Sequence, residues 1–358
     1  MVLRAARARR IATATAFGGG GLTLLGAGTV GLLYLQARLA HRAIGRTPWT
    51  APKVNGIYGS GDGTPLSLVM MGDSTAAGFA LTDGLQTPGS LLASGISAIA
   101  ERPVRLRNVA VVGATSKNLP TQVERVRGTD ADVAIVFIGA NDVIHRMRPA
   151  DSVRHLQNAV RELIDMGIAV VVGTCPDLGT VEHIGWPLSY IARRASRQLA
   201  AGQTIAAVEA GGRTVSLGTL LSDEFHSYPD DMFGPDRFHP SARGYAHAAT
   251  AVLPSACVAL GLLPELETVP DPGRGEGVLP VDRAAVEAAE ESGMEVSGAR
   301  VAGRERGPRG RWATLIRRRT KTIDDEPLTT GESGTGGTAV SVSGTEGAES
   351  DPGGRSAG

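Results

Sequence analysis

Between residues 66 and 262 two patterns alternate along the chain. Short apolar runs occur at 66–71 (LSLVMM), within 104–112, at 133–138 (VAIVFI) and at 168–172 (IAVVV), with 214–217 as a candidate fifth. Runs of this length predict strands buried on both faces. Longer segments lie between and after them, at 88–101, 117–127, 150–166, 188–210 and 242–260, and these predict helices. Strand–helix alternation predicts one α/β domain over 66–262: three layers, with a parallel sheet covered on both faces. In such sheets ligands bind beyond the carboxyl ends of the strands, so the polar residues just after each strand are the first to inspect.

Outside this window the pattern changes. A basic segment, residues 1–10 with Arg4, Arg7, Arg9 and Arg10, precedes 26 residues (11–36) with no charge. About 20 apolar residues span a bilayer as a helix, so 11–36 predicts a membrane anchor. Seven glycines make the stretch only moderately apolar, which leaves a cleaved leader or a surface-lying segment as the other reading. Arg38, Arg42 and Arg46 follow it; the balance of arginines leans toward a cytoplasmic N-terminus and an extracytoplasmic body, secreted if the anchor is cleaved. Residues 37–65 read as a linker, rich in Gly and Pro from 46 onward. Residues 263–358 read as a low-complexity, mostly disordered tail with one short helix at 284–291. Nine Arg and Lys within 300–321 fit either electrostatic docking on an anionic surface or a solvated tail.

Composition narrows the classes. Lys and Arg (36) balance Asp and Glu (36), so no chain-wide basic field is present and no nucleic-acid partner is expected. Two cysteines, Cys175 and Cys257, exclude a disulfide-dense scaffold and a four-cysteine zinc site. A disulfide between them stays open. His145, His155, His183, His226 and His247 show no metal-ligand spacing, and neither metal nor cofactor is expected. Oligomeric state is not legible.

Four short motifs fall where the sheet argument looks for a site. The first strand ends in Gly72-Asp73-Ser74-Thr75-Ala76-Ala77-Gly78, a strand-to-helix turn that exposes a serine beside backbone N–H groups. The second carries Asn108 and ends at Gly113, where the backbone can approach a substrate closely. The third ends in Gly139-Ala140-Asn141-Asp142, and an Asn amide there can donate to an oxyanion. Asp236-Arg237-Phe238-His239-Pro240 precedes the last helix, and a carboxylate three residues before a histidine can reach its Nδ1. Together these supply the parts of acyl transfer. Ser74 is the candidate nucleophile, His239 the general base and Asp236 its orienter. The N–H groups of Ser74 and Gly113 and the Asn141 side chain form the candidate oxyanion hole.

At these residues the chain resembles the SGNH family of GDSL hydrolases. Gly72–Gly78 matches the GDSxxxG block, 139–142 the GxND block and 236–240 the DxxHP block, while Asn108 and Gly113 match the glycine block more loosely. The resemblance covers 66 to about 260. It implies a flavodoxin-like fold and a metal-free esterase, lipase, thioesterase or deacetylase. The expected substrate is therefore a small-molecule, lipid or glycan ester, either an acyl lipid or an O-acetylated envelope carbohydrate. The same residues would serve an acyltransferase, and a non-catalytic membrane-tethered binding protein is the reading from another class. The reach between Ser74 and His239 discriminates the last. Asp73 and Asp142 are expected to cap helices and brace loops. Trp186, Phe225, Tyr228, Met232 and Phe233 either shape an acyl pocket or pack their own loops.

Overall fold

The computed structural model describes residues 29–36, 38–39, 49–181, 184–218, 225, 228–265, 277–291, 293–299 and 312–317. Its strands are β1 (Gly56–Tyr58), β2 (Leu66–Gly72), β3 (Val104–Asn108), β4 (Val133–Phe137), β5 (Ala169–Gly173), β6 (Arg213–Val215), β7 (Gly277–Pro280), β8 (Met294–Gly298) and β9 (Trp312–Arg317). Its helices are α1 (Ser74–Ala77), α2 (Pro88–Ala100), α3 (Leu119–Val126), α4 (Ala140–Ile144), α5 (Pro149–Asp165), α6 (Leu188–Glu209), α7 (Pro229–Met232), α8 (Ala242–Ala259) and α9 (Val281–Glu290).

The strands form one sheet in the order β1-β3-β2-β4-β5-β6-β8-β9-β7. From β3 to β6 all neighbours run parallel. Successive side chains of a strand point to opposite faces. Leu68 and Met70 of β2 therefore join Ile135, Phe137 and Val171 on one face, beneath Leu92 and Ile96 of α2 and Val252 of α8. Val69 and Met71 join Val136 and Val172 on the other, beneath α3, α5 and α6. Burying each such side chain contributes about 1.5–3 kcal/mol, and this double burial is why the runs read as continuously apolar.

The helices start where local chemistry directs. At α2 the Thr87 side chain accepts from the Ser90 N–H and Pro88 occupies the first turn. In α5, Leu156, Ala159, Val160 and Leu163 recur at helical spacing and are buried.

Four expectations need correction. The sheet is mixed, because β1 pairs antiparallel with β3, and β8, β9 and β7 extend it antiparallel beyond β6. The segment 37–65 is not linker throughout: Gly56–Tyr58 pairs along Leu106–Val104, and the Tyr58 hydroxyl donates to Val54 O at 2.7 Å. The second apolar run leaves the sheet at Asn108, whose side chain turns back to Ala76 O and the Ala110 N–H. The region after 262 also contributes structure. Met294, Val296, Ala313 and Leu315 share a small core with Val281, Ala284 and Ala288, and the stretch packs against β6 and α6. The helix expected at 284–291 is α9, Val281–Glu290.

Most of the expected anchor, residues 11–28, lies outside the described residues, as does most of the basic run; residues 29–36 form a short helix. Among the described residues no helix is long and apolar enough to cross a membrane.

Candidate active site

The site begins where β2 stops. Gly72 has φ +128°, and a Cβ there would lie 1.8 Å from Phe137 O, so only glycine lets β2 run this close to β4. The Asp73 N–H then donates to Phe137 O at 3.0 Å, and the Asp73 carboxylate accepts from the Thr75 N–H at 2.9 Å. That cap starts α1 at Ser74, whose N–H is among the first-turn donors with no partner inside the helix. Gly78 closes the turn at φ 70°.

His239 arrives from a tight loop. The bridge between Phe233 and Pro240 and the bonds Gly234 N to His239 O (2.7 Å) and Arg237 N to Gly234 O (2.8 Å) fold 233–240 back on itself. One oxygen of Asp236 accepts from the N–H groups of Phe238 (3.1 Å) and His239 (2.9 Å). The other lies 2.6 Å from His239 Nδ1, and His239 Nε2 lies 2.9 Å from Ser74 Oγ. With Nδ1–H donated to the carboxylate, Nε2 is left to accept the serine proton. Ser74, Asp236 and His239 are 7, 7 and 8 % exposed. Burial pushes the Asp236 carboxyl up, but the His239 hydrogen bond, the imidazole charge and the two backbone donors outweigh it and hold the group below its ordinary value. The imidazole contacts the Phe79 and Phe238 rings, with centroids 4.7 and 4.9 Å away. Tyr245 of α8 donates to Phe79 O at 2.9 Å.

The structure brings every expected site residue to one place. Ser74, Gly113, Asn141 and His239 line a single cavity of about 980 Å³. Gly113 has φ +80°. One Nδ2 proton of Asn141 goes to Ala114 O (3.0 Å), and an amide carries a second for an oxyanion. Asp142 accepts from the Ser116 N–H at 2.8 Å and from its hydroxyl, and so braces the Gly113 loop. Asp73 caps α1 and is buried, and burial pushes its carboxyl up to about 6 against the lowering pull of the Thr75 bonds and His239. Cys175 and Cys257 are both buried, and no disulfide joins them. Cys175 does not reach the cavity, and burial followed by the nearby Asp142 and Asp73 charges pushes its thiol up. Among the described residues no cluster of three or more His, Cys, Asp or Glu is placed to hold a metal ion.

Beyond the polar floor the cavity runs between α4, α5 and α6, with Val143, Ile144, Leu188, Ile191, Ala195 and Leu199 among its walls. Tyr34 and Arg38 of the N-terminal segment reach it too. The loop aromatics do not form it. Phe225, Met232 and Phe233 pack on one another, and Trp186 is 79 % exposed. Sequence reasoning missed Phe79, Phe238 and the α5–α6 wall. Two of these carried a usable signal, since Phe79 adjoins the serine block and Phe238 sits inside the histidine block.

A serine, a histidine and an aspartate hydrogen-bonded in series at the strand ends of a three-layer α/β sheet define a class of hydrolytic site. The GDSL-like Lipase/Acylhydrolase family model matches residues 70–247. The chain is 39 % identical over 251 residues to the GDSL-like esterase Rv1075c of Mycobacterium tuberculosis, covering 67 % of this chain and 79 % of that protein. Solved structures similar to it include an acetyl xylan esterase from Geobacillus stearothermophilus (17 % identity, 57 % of this chain and 98 % of that one, TM-score 0.42). Another is a G-D-S-L lipolytic protein from Veillonella parvula (21 % identity, 53 % and 97 %, TM-score 0.41). The chain belongs to the GDSL-like lipase/acylhydrolase family and is a carboxylic ester hydrolase.

Proposed function

We propose that Ser74, His239 and Asp236 hydrolyse esters of long apolar acyl chains through an acyl-enzyme. The observation that carries this is the 2.9 Å contact of Ser74 Oγ with His239 Nε2 at the floor of a 980 Å³ apolar-walled cavity. Ser74 Oγ attacks the ester carbonyl carbon while its proton passes to Nε2. Negative charge on the former carbonyl oxygen faces the N–H groups of Ser74 and Gly113 and the Asn141 amide. The bond to the alcohol oxygen breaks, and His239 returns the proton to the departing alkoxide. Water, deprotonated by His239, then attacks the acyl carbon, releasing the acid and restoring Ser74. Asp236 stays ionised and supports the imidazolium throughout.

The cavity favours an acyl lipid over an acetylated carbohydrate, because an acetyl group would leave its apolar walls unfilled. The contact between Ser74 and His239 weighs against a binding-only role. We place the enzyme at a membrane on its outer side, through the uncharged residues 11–36. Carbonate extraction of cells expressing the full chain tests this: recovery in the soluble fraction contradicts it. The reaction itself is tested on p-nitrophenyl esters from acetyl to palmitoyl. Turnover rises with chain length and falls by at least about 1,000-fold in Ser74→Ala. A maximum at acetyl would overturn the acyl-chain assignment, and an active Ser74→Ala the whole reading.

A further inference from the structure

At Gly72, the last residue of β2, and just past the ends of β4 and β5 the backbone is buried, and the strand ladder leaves some of its groups to find other partners. Two buried glutamines from the covering helices supply them. Gln122 of α3, 1 % exposed, accepts from the Gly72 N–H at 2.7 Å and donates to Gly72 O at 2.8 Å. Gln203 of α6, 0 % exposed, donates to Ile138 O at 3.0 Å and accepts from the Cys175 N–H at 2.7 Å.

Their places along the chain link the donors of the oxyanion hole. Gly72 lies two residues before Ser74, and α3 is the helix that follows the Gly113 loop, so Gln122 ties the nucleophile turn to that loop. Asp142 ties the same loop, at Ser116, to the turn that carries Asn141. Ile138 immediately precedes Gly139-Ala140-Asn141, so Gln203 fixes that turn against β5 and α6. Neither glutamine lines the cavity. An amide is suited to the task because it presents one acceptor and a donor pair without charge; a carboxylate lacks the donor and a thioether lacks both strengths.

We infer that Gln122 and Gln203 are positioning residues that hold the Ser74 N–H, the Gly113 N–H and the Asn141 amide in register for the oxyanion, and that they act on kcat rather than on substrate binding. This rests on the triad reading above. A misplacement of about 1 Å at such a site costs about 100-fold in rate.

The test measures kcat and KM on a p-nitrophenyl acyl ester, with thermal melting, for the full chain and five variants: Gln122→Met, Gln122→Glu, Gln203→Met, Val296→Ala and Ser74→Ala. Assays run below every melting temperature. Val296 is a buried residue of β8 outside the site and serves as the stability control. The expected result is that both Met variants lose about 10- to 100-fold in kcat with KM within about twofold, whereas Val296→Ala melts earlier with kcat unchanged. Gln122→Glu has its own signature. Burial favours the neutral acid, which both donates and accepts, so this variant is active near neutral pH and loses kcat as the carboxyl ionises at higher pH. Wild-type kcat in both Met variants, or a kcat loss in Val296→Ala proportional to its loss of stability, would overturn the positioning role. So would a Gln122→Glu profile with the same pH dependence as the wild type, which also decides the matter if the Met variants do not fold. Turnover by Ser74→Ala would instead remove the triad and this inference with it.

Discussion

The parallel centre of the sheet and its antiparallel flank are built differently. In β4 every residue is buried, and the neighbouring β2 and β5 are buried at their site-facing ends. Those ends carry Ser74, the Asn141 turn and the Cys175 peptide held by Gln203. The flank of β7, β8, β9 and α9 has no residue lining the cavity. Its join to the centre holds a charge pair: Arg213 of β6 donates to Glu295 of β8 at 2.8 and 3.0 Å, and Glu295 is fully buried. The pairing also covers the edge that β6 would otherwise expose. Chemistry thus sits where both sheet faces and both strand neighbours constrain the backbone, and the flank contributes stability without touching the reaction.

Substitutions on the two sides separate these roles. Glu295→Ala leaves Arg213 with only the exposed Glu265 carboxylate, 2.8 Å away, and lowers stability by less than the roughly 3–5 kcal/mol that an unpartnered buried charge costs, read by urea unfolding. The folded fraction keeps wild-type kcat; a loss of kcat there would couple the flank to the site. Asn141→Ala does the reverse, costing about 100- to 1,000-fold in kcat with little change in melting. Asp73 joins the two currencies. Its folded carboxyl titrates at about 6 against an ordinary 3.8, so between those values the folded state holds the extra proton. Stability from this group is therefore lost as pH rises from about 4 to 6, by at most about 3 kcal/mol. Asp73→Asn removes that slope while keeping a capping oxygen, and parallel stability–pH curves for variant and wild type would contradict it. The smallest effect concerns the cavity. Ala195→Trp fills the α6 wall and shortens the preferred acyl chain, at about 0.8 kcal/mol for each methylene excluded.

The same contrast explains what could be read beforehand. Continuous apolar runs betray strands covered on both faces, so β2, β4 and β5 fall within a residue or two of their expected bounds. Ser74, Gly113, Asn141, Asp236 and His239 were legible because each follows a strand or precedes a helix in a short, ordered motif. The flank was not. β8 contains Glu295 and Ser297, whose burial depends on Arg213 and on strands distant in sequence. β1 is three residues long and two are exposed, so backbone pairing sustains it without an apolar signature. The two glutamines left a readable trace. Gln122 sits in an apolar stripe with Leu119, Val123 and Val126, and Gln203 follows Leu199 and Ala200, so each is a polar residue on a buried face and requires a partner.

The central claim is that Ser74 is a nucleophile activated by His239. Intact-protein and peptide mass spectrometry after exposure to an alkyl fluorophosphonate tests it most directly. The account predicts one adduct per chain, on the peptide containing Ser74, absent in Ser74→Ala and formed far more slowly in His239→Ala. An adduct on another residue, or a folded protein that remains unlabelled while still hydrolysing esters, would contradict it.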